Sequence, residues 1–252
     1  MKRLLADLHI HTALSPCGTE DMTPPAIVAA AALKGLALIA ICDHNTAGNA
    51  AATQEAAALQ GSDKSLGAPV VLAGIEITTA EEAHVLGLFP DAAAAEAAAE
   101  EVLATLPPLT TADHGFGEQL LLDSAGGVLG KESRMLAAAS TFGLSDAVGL
   151  IHRHGGLAIA AHVDRPSFSV LSQLGVFPAD AGFDAVELGA NLMGLARATD
   201  FDAIGLPVVH SSDSHSLGEI GEVRTEIEMR DATFEELSLA LRSAGGRRVC
   251  RA

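Results

Sequence analysis

The stretch LALIAICDHN, residues 36–45, decides how this chain folds. Its first seven residues are uncharged and do not alternate apolar with polar, which is the pattern of a strand buried on both faces in a parallel sheet. The run then breaks into Asp43, His44 and Asn45, with no spacer between the apolar residues and the metal-ligand types. Gly35, just before it, stops a helix whose start is marked by Thr23 and Pro24. The same design recurs. Apolar runs at roughly 3–9, 36–42, 69–77, 83–89, 157–163, 184–189 and 206–212 read as strands, and most carry histidine or carboxylate at or near an end.

Helical stretches separate these runs. Residues 49–60 are Ala-rich, Asp91 opens an Ala/Glu helix reaching about 105, Ser145 caps one ending at Gly155-Gly156, and Thr233 with Glu236 reads as a capping box. Strands alternating with helices predict a parallel α/β architecture. A barrel is expected rather than an open sheet, because candidate ligands leave nearly every strand, whereas an open sheet gathers its site at one switch point. Residues 107–141 break the alternation. Pro107-Pro108, His114-Gly115-Phe116-Gly117, two short apolar runs and Gly126-Gly127 between them read as an inserted hairpin, a possible lid. One domain over 1–252 is expected.

The bulk numbers narrow the class. At 252 residues, 49% hydrophobic and 19% charged, the composition is that of a globular protein. Trp and Tyr are absent and the net charge is −17, so a base-stacking platform for single strands is disfavoured and long nucleic acid is expected to be an unlikely partner. Acidity leaves room for a small phosphorylated metabolite or nucleotide, since bound divalent cations invert the field at a site. Three cysteines, at 17, 42 and 250, form no disulfide framework and suit a cytoplasmic setting. The apolar N-terminal run is broken early by Asp7 and His9, and neither a signal peptide nor a membrane span is expected. No strand is followed by G-x-G-x-x-G or a Walker sequence.

The chemistry sits in a handful of positions. His9 and His11 lie two apart, so in a strand both imidazoles face the same way. Asp43 and His44 follow one run, Glu76 ends another, His84 begins another, His162 closes 158–161, and Asp213 with His215 follows the last. Taken singly, each has a duller reading: a lone histidine is more often a satisfied core or rim residue, and a buried carboxylate is often merely paired. Gathered on one barrel face, they are the donor set of a multinuclear metal centre. His152 and His154 sit at a helix C-terminus, His114 in the insertion and His210 within a strand, and none of these is expected to ligate.

The ordered set His9-x-His11, Asp43-His44, Glu76, His84, His162 and Asp213-x-His215 resembles the PHP (polymerase and histidinol phosphatase) family, from Asp7 to about Gly221. The resemblance implies a distorted (β/α)7 barrel that hydrolyses phosphoesters with two or three divalent ions, zinc, manganese or iron. By that resemblance His9, His11, Glu76 and Asp213 form one site, Glu76 bridges to a second held by His84 and His162, and His44 and His215 hold a third. Where family members carry His or Asp at the third site, this chain has Cys17. A thiolate there favours zinc or iron over manganese, while an inert Cys17 leaves a two-metal enzyme. Asp43 is a ligand, an orienting residue or a proton donor.

The reaction expected is hydrolysis of a phosphomonoester or small phosphodiester by a metal-activated hydroxide. Arg165, three residues past His162, is the expected phosphate clamp, with a surface ion pair as its plainer role and Lys131 as a weaker candidate. Asp43 or His215 is expected to protonate the leaving oxygen. Two other classes compete: a non-catalytic metal-binding scaffold, which is disfavoured because nearly all ligands are retained, and a metal-dependent amidohydrolase, which is disfavoured because no Lys stands at a strand end.

Overall fold

The computed structural model describes residues 1–61, 67–109, 117–189, 201 and 204–250. All seven expected strands form: β1 (Lys2–Ile10), β2 (Leu38–Ile41), β3 (Val70–Thr78), β4 (His84–Phe89), β7 (Leu157–Ala160), β8 (Ala185–Leu188) and β9 (Val208–His210). Strands β10 (Thr225–Met229) and β11 (Arg248–Val249) were not anticipated, nor was the short helix α5 (Val170–Leu174). The other helices named among the described residues are α1 (Pro24–Leu33), α2 (Ala50–Gly61), α3 (Ala92–Leu103), α4 (Leu144–Arg153) and α6 (Phe234–Leu241). None is long and apolar enough to cross a membrane among the described residues.

The sheet runs β11-β10-β1-β2-β3-β4-β7-β8-β9 and curls into a nearly closed, distorted barrel. Closure uses the two halves of β1 differently. Residues 2–6 pair with β10, while residues 9–11 meet the continuation of β9, where His11 N–H bonds to Ser214 O at 3.0 Å. Asp7 stands at the changeover. It is fully buried and accepts from the Ser212 amide, the Ser212 hydroxyl and the Gly221 amide. Burial outweighs those hydrogen bonds and lifts its carboxyl to about 6.

The expectation of a parallel sheet needs one correction. β4 runs antiparallel to both β3 and β7. Only residues 79–83 join β3 to β4, too few for the helical crossover that parallel neighbours require. The reversal has a consequence for function: it brings the first residue of β4, His84, to the barrel end where β3 and β7 finish. Some end signals also moved. Thr23 makes no side-chain cap, α4 starts after Gly143 with Glu81 accepting its first amide, and Glu236 spends its carboxylate on Arg230 and Arg247 instead of closing a capping box.

Two apolar layers hold the barrel. Ile39, Ile41, Val71, Ala73, Val85 and Ala160 pack outward against α1 to α4. Leu8, Leu38, Leu72, Leu86, Ile159 and Val209 fill the interior, which Leu237 and Leu241 of α6 plug. Among the described residues of 107–141, β5 (Leu120–Leu122) and β6 (Val128–Lys131) form the expected hairpin. It is docked on the turn after β1: Leu120 N–H bonds to Ala13 O, and Gly117 N–H to Pro16 O at 2.6 Å. A Cβ at Gly117 would come within 2.8 Å of that same oxygen, so the contact needs glycine.

Candidate metal centre

β1 delivers two imidazoles to the barrel interior because its register slips between Asp7 and Ile10. Leu8 belongs to the interior layer and Ile10 to the outer one, so the pleat is reset there and His9 and His11 both face inward. Each has its other ring nitrogen occupied from behind. His9 Nδ1 lies 3.0 Å from Glu187 on β8, a carboxylate that also takes the His162 amide. His11 Nδ1 lies 2.8 Å from Ser15 Oγ, which donates to Asp43 Oδ1 at 2.7 Å. A carboxylate only accepts, and the Ser15 proton is already committed, so both Nδ1 atoms are assigned the proton and both Nε2 atoms face the centre. Those two Nε2 atoms are 3.0 Å apart.

Glu76 lies between two sets of imidazoles. Its Oε1 is 2.7 Å from His84 Nδ1, 3.1 Å from His162 Nε2 and 3.5 Å from His9 Nε2. Its Oε2 is 2.8 Å from His44 Nδ1 and 3.4 Å from His11 Nε2. Asp213 Oδ1 completes the nest, 3.0 Å from His11 Nε2 and 3.4 Å from His9 Nε2. Among the described residues no aligned hydrogen bond reaches Glu76 Oε2 or His44 Nδ1, although both are buried and 2.8 Å apart. Short contacts that are not hydrogen bonds suit an ion placed between the groups. Three triads have ligand atoms within 4.8 Å of one another: His9, His11 and Glu76; His44, Glu76 and His84; His11, His44 and His215.

The outer part is looser. Cys17 is exposed at the rim, 3.2 Å from His44 Nε2, in a turn that Gly18 makes possible, since a Cβ there would stand 2.5 Å from Thr12 O. His215 stacks on His11 with centroids 4.1 Å apart and is held by Asp213 O at 2.8 Å. Arg165 reaches in from the loop after β7 and sets Nη2 2.5 Å from Asp213 Oδ2.

The charges agree with a site built for cations. Burial disfavours ionised Glu76, yet His84, His9 and His44 hold its carboxyl well below the usual range. Burial likewise opposes charge on His44, but Glu76 and Cys17 raise it to about 10. His9 is raised well above its ordinary value by Glu187, Asp213 and Glu76 against burial, while burial and the neighbouring His215 and His44 push His11 down. Burial raises the Cys17 thiol, and hydrogen bonds from His215 and His44 outweigh it, leaving it lowered to about 7. Protons supply the positive charge that the carboxylates demand, and a metal ion would take their place.

The structure therefore brings together His9, His11, Cys17, His44, Glu76, His84, His162, Asp213 and His215, with Arg165 at the edge. It does not bring Asp43 into the cluster. Both Asp43 oxygens are taken by Thr12 and Ser15, so the expectation that it ligates metal or meets the leaving group is corrected: it sits behind His11. Lys131 pairs with Glu118 on the hairpin, His152 with Asp184 and His154 with Glu101. His114 lies outside the described residues. Glu187 and Ser15 were missed. Glu187 ends the short run AVEL, a carboxylate at a strand end like Glu76, and that was the available signal.

Residues 7–176 match the PHP domain, and residues 200–244 match the PHP-associated region that follows it. The chain belongs to the PHP family. It has the fold of that family. The lesion-specific endonuclease Q of Pyrococcus furiosus has a similar structure, with TM-score 0.67 and 21% identity over 98% of this chain and 58% of its own. A Bifidobacterium adolescentis protein whose description proposes a metal-dependent phosphoesterase gives 0.60 and 21%, over 95% of this chain and 96% of its own. An uncharacterized Bacillus subtilis protein, YqxK, is 32% identical over 100 residues, 38% of this chain and 26% of its own. The PHP chain thus spans about a quarter of that relative and somewhat over half of endonuclease Q.

One expectation falls here. Long nucleic acid was set aside on net charge, yet endonuclease Q also gives a similar structure, TM-score 0.68, in complex with a 27-mer duplex substrate bearing an abasic lesion at its active site. A sum over the whole surface says little about the field at the mouth of a metal centre, where bound cations dominate.

Proposed function

We propose that this PHP chain hydrolyses a phosphomonoester or small phosphodiester at the cluster around Glu76. The observation that carries the reading is Glu76 itself: buried, with its two oxygens turned to different imidazole sets. His9, His11, Glu76 and Asp213 would hold one divalent ion, Glu76, His84 and His162 a second, and His44, His215 and Cys17 a third, drawn from zinc, iron or manganese. When bound, such ions would supply Lewis acidity and lower the pKa of water toward neutrality.

The protein's own residues do the rest. Glu187 and the Ser15–Asp43 pair fix the His9 and His11 tautomers so that lone pairs face inward. Arg165 leaves Asp213 to grip a phosphate oxygen, its fork matching that geometry. With only two ions bound and no third ion on His44, Cys17 and His215, His215, partly open at the rim and raised in pKa against burial by Cys17 and Asp213, carries the proton for the leaving oxygen. The hairpin over the 12–18 turn narrows access, within a single domain over 1–252, and the unpaired cysteines suit the cytoplasm.

A second reading takes a DNA phosphodiester as substrate and is favoured by the likeness to endonuclease Q. Phosphate release from a panel of small phosphoesters, set beside cleavage of duplexes with and without an abasic lesion, separates the two. Metal-loaded protein inert toward every small phosphoester would end the first reading.

A further inference from the structure

Phe168 is an unusual residue at the mouth of the centre. Its ring stacks on the His84 imidazole, with centroids 5.0 Å apart and planes 26° from parallel. Its backbone has φ 55°, the left-handed region, where a glycine or asparagine would sit at less cost. Strain of this kind collects where surrounding structure enforces it for function. His162 (φ 27°) and Asp213 (φ 50°), both in the cluster, share the feature.

The enforcement is visible. The carbonyl of Phe168 accepts the His84 amide at 2.9 Å, the Arg165 amide bonds to His162 O, and the Ser169 hydroxyl bonds to Arg165 O before capping α5. One short loop thus carries both the guanidinium that meets Asp213 and the phenyl ring that stacks on His84. A phenyl serving only to cover His84 would be buried by its neighbours. Phe168 keeps 43% of its surface exposed. In a chain without Trp or Tyr, an open ring stacked on His84, on the same loop as the arginine that meets Asp213, is a recognition surface.

We infer that Phe168 stacks on a planar aromatic ring carried by the substrate, so that the preferred phosphoesters bear an aryl or heteroaryl group, such as a nucleobase, next to the phosphoryl group. This rests on the reading of the cluster as a phosphoester site. Stacking of a base on an aromatic side chain contributes enough to change affinity roughly tenfold.

Three hydrolytically stable phosphonates test it by calorimetry on manganese-loaded protein: phenylphosphonate, cyclohexylphosphonate of similar size but without a planar face, and ethylphosphonate. The expected result is phenyl bound roughly tenfold more tightly than cyclohexyl. Phe168→Leu should bring that ratio to about one and Phe168→Tyr should restore it, with ethylphosphonate affinity and metal content unchanged in both. Equal binding of phenyl and cyclohexyl, or a ratio that survives Phe168→Leu, overturns the stacking role and leaves the phosphoester reading intact. Failure of all three phosphonates to bind overturns both.

Discussion

The inner and outer halves of the centre are made differently. Around Glu76, His9, His84 and His162 sit on or beside strands, are buried, and with Glu187 behind them form a set no member of which can move alone. Around Cys17, His44 and His215 the donors lie past the ends of the named strands (His44 in an isolated bridge to Glu76), remain partly open, and lean on contacts such as ring stacking. A strand-borne donor is placed by the sheet register, so altering it disturbs the barrel's hydrogen bonding. A turn-borne donor can be exchanged, and the one departure from the family's ligand pattern, Cys17, lies there.

That contrast can be broken in order of expected size. Glu76→Gln removes the charge both halves share. Hydrolysis should fall by on the order of a thousandfold, with loss of bound metal by elemental analysis and an unchanged circular dichroism spectrum. Near-normal turnover would end the bridging role. Glu187→Gln acts only on the inner half, through His9, and should weaken metal affinity by about 10- to 100-fold in competition with a chelating dye. An equal loss from a substitution at exposed His152 would show that the inner half has no special rigidity.

Protons provide the next test. His44 is raised to about 10, chiefly by Glu76 acting against burial, so near neutrality the metal-free protein holds a proton there that ligation must expel. Affinity should therefore climb as pH rises from 6 to 8, up to about tenfold per unit for each proton released, and calorimetry in buffers of different ionisation enthalpy should show the release. Arg165→Met should raise KM about tenfold while metal content holds, because it removes a charged hydrogen bond to phosphate alone. The smallest effect belongs to the rim. Cys17→Ser should cost at most one metal equivalent and leave the inner ions bound, and added zinc should protect Cys17 of the unaltered protein from iodoacetamide. Alkylation at the same rate with and without zinc would remove Cys17 from the ligand set.

Much of this was legible in one dimension because buried strands are apolar throughout, which makes a polar residue at their ends conspicuous. That signal located seven of the nine strands in the barrel sheet, and the histidines, Glu76 and Asp213 of the cluster. It failed where local chemistry is ambiguous. β10 alternates as TEIEM, and α5 is only five residues long, too short to show a period. Asp43 looked like a ligand since it precedes His44, but adjacent residues point apart, and only the 12–15 turn shows which way each faces.

The sequence by itself determined the barrel class, the donor types and their order, because burial and coordination chemistry constrain residue identity directly. Tertiary structure decided the rest. The β4 reversal brought His84 to the right end, the slip in β1 turned His9 and His11 inward together, and Glu187, far from both in sequence, fixed the tautomer of one. Those outcomes depend on which backbone lies beside which, and no local pattern encodes that. The same holds for Phe168, an unremarkable residue in the chain until its ring is found open against His84.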